Sequence, residues 1–340
     1  MNQLNRQMAI SELRKDPVVD RWVIIATERS KRPHANRTRT ESDRDEPCPF
    51  CAGREGDTPP EVLAYRDPST PANTPGWRVR VVPNKYPALD SRGDISLPTG
   101  SAYVAVGGVG AHEVIIESPK HCLSMAELAE GQIEDVLRAY RERLIALQND
   151  RRWKSILIYK NEGSAAGATL EHVHSQLLAM SIVPREIDHE WRALVSHHDM
   201  TKSCLYCEMR DGERSDGRRI ILESAAFIGF CPFASRFPFE IWLMPKEHSP
   251  MFASVANDEL RQLAFMLRQS LQRLAGIVDA PLNYVLHSAP LKEAKRDHYH
   301  WHLEILPRIS KIAGFELASG YYINTVAPES AARQLRELAL

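Results

Sequence analysis

Six cysteines and thirteen histidines stand out in this 340-residue chain, and four of the cysteines form two Cys-x-x-Cys pairs. The pairs are Cys48 with Cys51 and Cys204 with Cys207. Two thiolates on one tight turn can bind a single tetrahedral ion, and zinc favours sulfur ligands combined with imidazole nitrogens. The alternatives are ordinary buried thiols or a thioredoxin-like redox pair, which would open a helix inside a βαβ unit. We expect that neither pair opens such a helix, so the sequence favours zinc.

Two histidines follow each cysteine pair, and the spacing between these two histidines is nearly the same in both halves. His121 precedes a His-x-His motif at His172 by 51 positions, and His248 precedes the corresponding His300 by 52 positions. The repeated order predicts two Cys₂His₂ zinc sites per chain. The predicted ligands are Cys48, Cys51, His121 and His172 in the first half, and Cys204, Cys207, His248 and His300 in the second half.

The run His298-Tyr-His300-Trp-His302 leaves the second ligand set partly open. The repeat predicts that His300 is the ligand and that His302 corresponds to the second histidine of the first motif. We expect His298 to be exposed to solvent, and ligation by His298 or His302 is the alternative. Leu303 and Glu304 follow His302, so the second half lacks an amide at the corresponding place and is predicted to be structural.

The segment His172-Val-His174-Ser-Gln176 contains residues for covalent chemistry. In a strand these alternate side chains share one face. With His172 on zinc, the neutral imidazole of His174 can attack phosphorus, and the Gln176 amide can hold a phosphoryl oxygen. An isolated His-x-His is more often a pair of ligands or structural histidines. Here a glycine- and hydroxyl-containing turn at 161–169 precedes it, and its backbone amides are expected to cradle a phosphate.

The elements that must position these residues occur twice along the chain. A predicted strand at 112–117 aligns without a gap with another at 239–244, and each is followed by an amphipathic helix, at 124–148 and 257–274. Ser124 and Glu127 have the spacing of a capping box for the first helix. The polar segment 188–216 is predicted to connect the halves. The sequence therefore predicts a tandem duplication.

Composition excludes several classes of function. The formal net charge is −1, so the chain lacks the basic field expected of a nucleic-acid-binding protein. The N-terminal residues do not form a signal peptide, and the longest apolar stretches have the length of strands. We therefore expect a cytoplasmic protein without membrane attachment, in a compartment where disulfides are rare.

These motifs resemble the galactose-1-phosphate uridylyltransferase family, the double-repeat branch of the histidine-triad superfamily. The resemblance rests on Cys48-Pro-Phe-Cys51, on the glycine turn followed by His-x-His-x-Gln at His172, and on Pro-Lys-x-His at His248. It implies an α+β fold of tandem histidine-triad-like repeats, each a mostly antiparallel sheet with flanking helices. The first repeat would span residues 1–187 and carry the catalytic strand. The second would span residues 188–340, with a structural zinc and a sugar-side tail.

The resemblance also implies nucleotidyl transfer in two displacements. A histidine, His174 by motif match, attacks the α-phosphorus of a nucleotide sugar and keeps the nucleoside monophosphate, with Gln176 as its phosphoryl partner. A hexose 1-phosphate leaves, and a second phosphate acceptor takes the nucleotide. The remaining implied contacts are nucleotide contacts at Asn84, Asn161, Gly167, Ala168 and Thr169, arginines across a homodimer interface at Arg29 and Arg32, and sugar-side contacts at Phe315, Gly320 and Tyr321.

Two departures bear on the nucleotide base. Many bacterial uridylyltransferases read HPHGQ where this chain has Val173 and Ser175, and they lack the second cysteine pair. Both features are similar to the ADP-glucose phosphorylases of the same family, which transfer AMP to inorganic phosphate. We place uridylyl transfer to galactose 1-phosphate first because it is the commonest assignment in the family, with adenylyl transfer to phosphate as the alternative. A non-catalytic nucleotide-sugar-binding zinc protein is less favoured because binding alone does not need His174.

Overall fold

Short runs rich in β-branched and aromatic residues form the strands of the structure, a computed structural model that describes residues 11–15, 22–27, 48–92, 103–291 and 297–339. Along such a run, buried side chains alternate with more exposed ones, as expected for a strand that covers a core on one face. The strands are β1 (Glu12–Lys15), β2 (Trp22–Ile25), β3 (Leu63–Arg66), β4 (Trp77–Pro83), β5 (Val104–Gly107), β6 (Gly110–Ile116), β7 (Ser155–Glu162), β8 (His174–Met180), β9 (Ile220–Glu223), β10 (Phe227–Phe230), β11 (Ile241–Pro245), β12 (Leu282–His287) and β13 (His302–Pro307).

Ten of these strands form one antiparallel sheet, in the order β3-β4-β6-β8-β7-β12-β13-β11-β10-β9. Each half of the chain contributes five strands, and the two sets run outward from a central seam in the same succession. At the seam β7 pairs with β12, where Leu282 lies opposite Glu162 and Leu286 opposite Ile158. The predicted α+β duplication is therefore confirmed. The remaining described strands form a small sheet in the order β2-β1-β5.

Helices with one apolar stripe cover one face of the large sheet. The equivalent helices α1 and α4 pack against each other there, and their buried residues join the sheet in one core. Within the described residues, none of the helices is long and apolar enough to cross a membrane. The helices are α1 (Glu130–Leu147), α2 (Arg185–Thr201), α3 (Leu205–Asp216), α4 (Asn257–Ile277), α5 (Gly314–Ser319) and α6 (Pro328–Glu337).

The structure differs from the local predictions at three points. The segment 188–216, predicted to connect the halves, forms most of α2 and α3, two helices that the sequence did not predict because their buried residues are few and widely spaced. The capping box of Ser124 and Glu127 forms, but it caps a single 3₁₀ turn, and α1 begins only at Glu130. Strand β8 begins at His174 rather than at 172. The proposed repeat boundary between residues 187 and 188 falls inside α2.

Candidate active site

The first cysteine pair lies on a tight turn, in which the Cys51 N–H donates to the Cys48 carbonyl at 3.2 Å. Cys48 Sγ is 3.5 Å from His172 Nδ1, and Cys51 Sγ is 3.6 Å from His121 Nδ1. Ordinary zinc–sulfur and zinc–nitrogen bond lengths in a tetrahedral site give a sulfur–nitrogen separation of about 3.6 Å. The four side chains therefore fit a zinc ion without rearrangement.

The second group of four is built in the same way. Cys207 Sγ lies 3.3 Å from His248 Nδ1 and 3.4 Å from His300 Nδ1, and the ligand atoms of all four residues lie within 4.8 Å of one another. One expectation is wrong here, because Cys204 is the N-cap of α3 and this pair does open a helix. A hydrogen bond from the Cys207 side chain lowers the pKa of Cys204 to about 7 against the opposing effect of burial. Two cysteines beside two imidazoles suit a tetrahedral metal site.

His298 is the other correction in this region. It is 6% exposed rather than solvent-facing, and its ring packs 4.3 Å from the ring of Trp191 on α2. The ring lies outside the group of four, whereas the His298 carbonyl accepts a hydrogen bond from Cys204 Sγ at 3.4 Å. His298 therefore lies beside the second group without being one of its four members.

The imidazole of His172 is prepared for a metal by its second nitrogen. His172 Nε2–H donates to the Ser118 carbonyl at 2.8 Å, so Nδ1, the nitrogen nearest the thiols, carries the lone pair. Burial lowers the pKa of His172 to about 4, which keeps the ring neutral at ordinary pH. Such a hydrogen bond fixes both the tautomer and the orientation of a ligand histidine.

The adjacent His174 has the opposite tautomer. Its Nδ1–H donates to the His172 carbonyl at 2.7 Å, which leaves the lone pair on Nε2. The ring is 9% exposed and packs 5.2 Å from the ring of Phe50, which belongs to the first cysteine turn. The first cysteine turn thus lies against both His172 and the candidate nucleophile His174.

A buried polar network holds β8 from the helix-covered face. Lys160 Nζ donates to Glu117 at 2.6 Å and to the His174 carbonyl at 3.1 Å. The Tyr140 hydroxyl donates to Ser175 Oγ at 2.6 Å. Ser175 therefore points away from the His174 side chain, as the alternation of the strand predicts.

Gln176 is held by residues that the sequence analysis did not assign to the site. Its side-chain oxygen accepts hydrogen bonds from His112 Nε2 at 2.9 Å and from the Tyr159 hydroxyl at 3.2 Å. Asn84, a predicted nucleotide contact, has its side-chain nitrogen 3.2 Å from the same His112 nitrogen. The only signal in the sequence was the position of His112 at the start of the duplicated strand motif.

The predicted phosphate turn lies beside the nucleophile. Lys160 pairs with Ser175, so Asn161 is the residue of β7 next to His174. Gly163 and Gly167 adopt positive φ values of 84° and 91°, which glycine tolerates best. The Ala168 N–H donates to the Gly163 carbonyl at 3.2 Å, so this amide is used within the turn. The structure brings Asn161 close to His174, whereas phosphate binding by Gly167, Ala168 and Thr169 stays a prediction.

The other predicted substrate residues are spread over the chain. Arg29 and Arg32 lie outside the described residues. Phe315 and Tyr321 are 52% and 72% exposed, and Gly320 ends α5 with a φ of 72°. This tail is anchored on the second half, where the Asn324 amide donates to the Ser235 and Phe237 carbonyls.

The counterpart of His174 in the second half is enclosed. His302 repeats the backbone contact, with Nδ1–H donating to the His300 carbonyl at 3.2 Å. Its ring is fully buried between the rings of Trp242 and His287, with centroids 4.7 and 4.8 Å away. This enclosure supports the prediction that the second half is structural.

A charged cluster lies beside His302. His287 Nδ1 lies 3.1 Å from Glu190, and His287 Nε2 lies 3.5 Å from Glu304. Burial alone would lower the pKa of His287, but the two carboxylates raise it to about 10. Burial would likewise raise the pKa of Glu190, and His287 instead lowers it to about 2. The ligand atoms of Glu190, His287 and His302 lie close enough together to hold a metal ion. In this structure, however, His287 pairs with the carboxylates of Glu190 and Glu304.

Known proteins are similar to this chain over nearly its full length. Residues 2–184 match the model of the galactose-1-phosphate uridyl transferase N-terminal domain, and residues 109–338 match a domain of unknown function. An ADP-glucose phosphorylase of Arabidopsis thaliana is 36% identical over 338 residues, which are 97% of this chain and 93% of that protein. The chain belongs to the galactose-1-phosphate uridylyltransferase family. It is a nucleotidyltransferase of that family, as the sequence analysis expected.

A further relative and two solved structures are also similar to this chain. A galactose-1-phosphate uridylyltransferase of Thermotoga maritima is 27% identical over 336 residues, covering 96% of this chain and 98% of that protein. The crystal structure of an ADP-glucose phosphorylase from Arabidopsis thaliana with bound ADP-glucose has a TM-score of 0.76 at 34% identity and covers 97% of this chain and 100% of that one. A uridylyltransferase structure has a TM-score of 0.79 at 25% identity, with 96% and 97% covered. Both activities therefore occur on this fold.

Proposed function

We propose that this chain transfers a nucleoside monophosphate from a nucleotide sugar to a phosphate acceptor through a covalent intermediate on His174. The observation that carries the proposal is the hydrogen bond from His174 Nδ1–H to the His172 carbonyl at 2.7 Å. It fixes Nε2 as the nucleophilic nitrogen before substrate binds, so no proton has to leave the ring when it attacks.

The reaction has two displacements. In the first, the Nε2 lone pair forms a bond to the α-phosphorus, and the bond from that phosphorus to the bridging oxygen breaks. The sugar 1-phosphate leaves with the electron pair. In the second, a phosphate oxygen attacks the same phosphorus, the phosphorus–nitrogen bond breaks, and His174 recovers its lone pair. A covalent intermediate divides one difficult displacement into two easier ones.

The amide of Gln176 would stabilise the phosphoryl oxygens in both steps. Its oxygen is occupied by His112 and Tyr159, so the NH₂ group is the end that can donate to a developing negative charge. The nucleotide would contact residues beside this strand. We assign these contacts to Asn84, Asn161, Gly167, Ala168 and Thr169.

We propose ADP-glucose as the nucleotide sugar and inorganic phosphate as the acceptor, which gives ADP and glucose 1-phosphate. From the sequence alone, uridylyl transfer comes first by a narrow margin, because it is the commonest assignment in the family. The 36% identity with an ADP-glucose phosphorylase, against 27% with a galactose-1-phosphate uridylyltransferase, favours the alternative. The second cysteine pair and Ser175 support the same choice. Uridylyl transfer between UDP-glucose and galactose 1-phosphate is the second candidate.

We further propose that each group of four ligands holds one zinc ion, two per chain. Two thiolates and two imidazoles at these separations suit zinc better than magnesium or calcium, which favour oxygen ligands. When bound, the ion would contribute folding free energy. His172 would then hold the carbonyl that orients His174.

A homodimer is part of the proposal because the resemblance to the family implies arginines that reach across a subunit interface. Phe315, Gly320 and Tyr321 would contribute to the sugar side of the site, and Arg29 and Arg32 would lie at the subunit interface. Sedimentation should show a dimer, and a fully active monomer would contradict this part.

A panel of donors and acceptors tests the reaction. Turnover should be highest with ADP-glucose and phosphate, and it should fall at least a thousandfold in His174→Ala, because the covalent route is lost. Faster turnover with UDP-glucose and galactose 1-phosphate would favour the second candidate. Unchanged turnover in His174→Ala would remove the covalent mechanism.

A further inference from the structure

His112 lies beside Gln176 in the sheet without belonging to any predicted set of site residues. It is on β6, where Val114 pairs with Gln176 of β8, so His112 is the diagonal neighbour of Gln176 on the same face. Its side chain is 4% exposed, and its Nε2 is 2.9 Å from the Gln176 oxygen.

The tautomer of His112 follows from its other nitrogen. The backbone N–H of Ala88 donates to His112 Nδ1 at 2.9 Å. A backbone amide can only donate, so Nδ1 carries the lone pair and Nε2 carries the hydrogen. Nε2–H therefore donates to Gln176. The side-chain nitrogen of Asn84 lies 3.2 Å from the same Nε2, and because both nitrogens are donors in this tautomer, that contact is not a hydrogen bond.

The oxygen of Gln176 receives a donor from each neighbouring strand. His112 approaches from β6, and the Tyr159 hydroxyl approaches from β7, where Tyr159 pairs directly with Gln176. The two ends of a glutamine amide have nearly the same shape, so only such partners decide which end faces a ligand. A flipped amide would turn its oxygen, instead of its NH₂ group, towards the phosphoryl group.

We propose that His112 is a positioning residue that fixes the Gln176 amide with its NH₂ group available to the transferred phosphoryl group. The inference rests on the proposed function, because it assigns Gln176 the donor role in that reaction. His112 acts through Gln176 and does not touch the reacting atoms. Tyr159 has the same role with a longer hydrogen bond. Because the amide is already fixed, it does not have to reorient when negative charge develops on the phosphoryl group. Strong electrostatic stabilisation requires a donor that is preorganised in this way.

Two substitutions of His112 separate the effect of its ring from the effect of its hydrogen bond to Gln176. His112→Phe keeps an aromatic ring and removes both nitrogens, whereas His112→Gln returns an N–H donor to the side chain. The control is His189→Phe on the exposed face of α2. Gln176→Ala removes the group through which His112 acts and should lower kcat about 10²–10³-fold, the usual effect of losing one such donor.

Steady-state kinetics and a double-mutant cycle test the inference. His112→Phe should lower kcat about tenfold or more with KM changed less than about threefold, and His112→Gln should recover part of the loss. The double variant His112→Phe with Gln176→Ala should be no slower than Gln176→Ala alone. A wild-type rate in His112→Phe, or independent losses that multiply in the double variant, would overturn the inference.

A second measurement does not depend on turnover. Nitrogen-15 spectra of labelled histidine should show His112 as the Nε2–H tautomer, and His112→Phe should shift the side-chain amide signals of Gln176 while His189→Phe leaves them unchanged. The Nδ1–H tautomer, or unshifted signals, would overturn the positioning role. If the wild-type protein transfers nucleotide from no donor, the proposed function fails and these spectra still decide whether His112 orients Gln176.

Discussion

Replacing Lys160 by methionine tests the support beneath the nucleophile. Lys160 is 1% exposed, and its ammonium pairs at 2.6 Å with Glu117, which is fully buried. Methionine fills a similar volume and leaves the carboxylate without its cation. Removing one partner of a buried ion pair costs about 3–5 kcal/mol, because the other charge stays buried and unpaired.

This cost corresponds to a measurable change in melting temperature. With about 2.1 cal/mol/K of unfolding entropy per residue, a 340-residue chain should melt about 4–7 °C lower. The assay is thermal and urea unfolding of the zinc-loaded protein. Lys154→Met, an exposed substitution of the same chemistry, is the matched control and should change stability by less than about 0.5 kcal/mol.

The pH dependence of the stability lost in Lys160→Met shows whether the unpaired Glu117 carboxylate causes the loss. Burial raises the pKa of Glu117 above its ordinary value, and Lys160 opposes that rise. Without Lys160, the folded protein retains a proton on Glu117 at a pH where the unfolded chain has lost it. The deficit of Lys160→Met should therefore shrink as the pH falls from about 8 to about 5.5. Adding Glu117→Gln should recover much of the loss at about pH 8.

Two results would refute this reasoning. A cost below about 1 kcal/mol would mean that the Glu117 charge is not isolated from solvent. An equal cost at both pH values would show that the loss comes from packing and not from an unpaired carboxylate.

Three further outcomes are expected. Cys204→Ser should reduce the zinc content from two ions to one per chain and lower the melting temperature, and metal analysis that still gives two ions would contradict the second site. Because the pKa of His287 is raised, this residue contributes stability that is fully present below about pH 6.5 and is lost as the pH rises towards 10. Because the pKa of Glu190 is lowered, its contribution is lost in the opposite direction, as the pH falls from about 4.5 towards 2. Urea titrations should therefore show wild-type stability falling between about pH 7 and 10, and His287→Gln should remove that slope, whereas an unchanged slope would exclude the pair as its source. In Gly163→Ala the new Cβ would lie 2.8 Å from Pro281 Cβ, at a backbone φ of 84°. Turnover should therefore fall, and the free energy of unfolding should drop by about 1 kcal/mol or more. Wild-type kinetics and melting in this variant would contradict a fixed turn.

The metal groups could be predicted from the sequence because duplication supplies an internal check. One cysteine pair has several explanations, but two pairs, each followed by two histidines that are 51 or 52 positions apart, have few. The structure brings all eight predicted ligands together as two groups of four. Residue types and spacing were sufficient here, because a structural zinc ion requires four ligands in a tetrahedral arrangement.

The segment after the first repeat could not be predicted in the same way. Its helices α2 and α3 carry many charged residues and bury few side chains, so their periodicity is weak. Missing α2 also led to the wrong exposure for His298, because Trp191 of that helix covers it. A tertiary contact decided the burial of this histidine, and single-chain pattern analysis does not contain that information.

The partners of Gln176 depend on the order of strands in the sheet. His112 and Tyr159 lie 64 and 17 positions away in the chain, and they meet Gln176 only because β6 and β7 flank β8. Alternation within one strand correctly placed Ser175 opposite His174. It could not reveal which side chains approach from the neighbouring strands.

Mass spectrometry of a nucleotide adduct tests the central claim most directly. Incubation with ADP-glucose in the absence of phosphate should add the mass of one AMP per chain, and peptide mapping should place it on His174. The adduct should disappear in His174→Ala, persist in His302→Ala, and be released as ADP when phosphate is added. An unmodified wild-type protein with both ADP-glucose and UDP-glucose, or an adduct that survives in His174→Ala, would contradict the account.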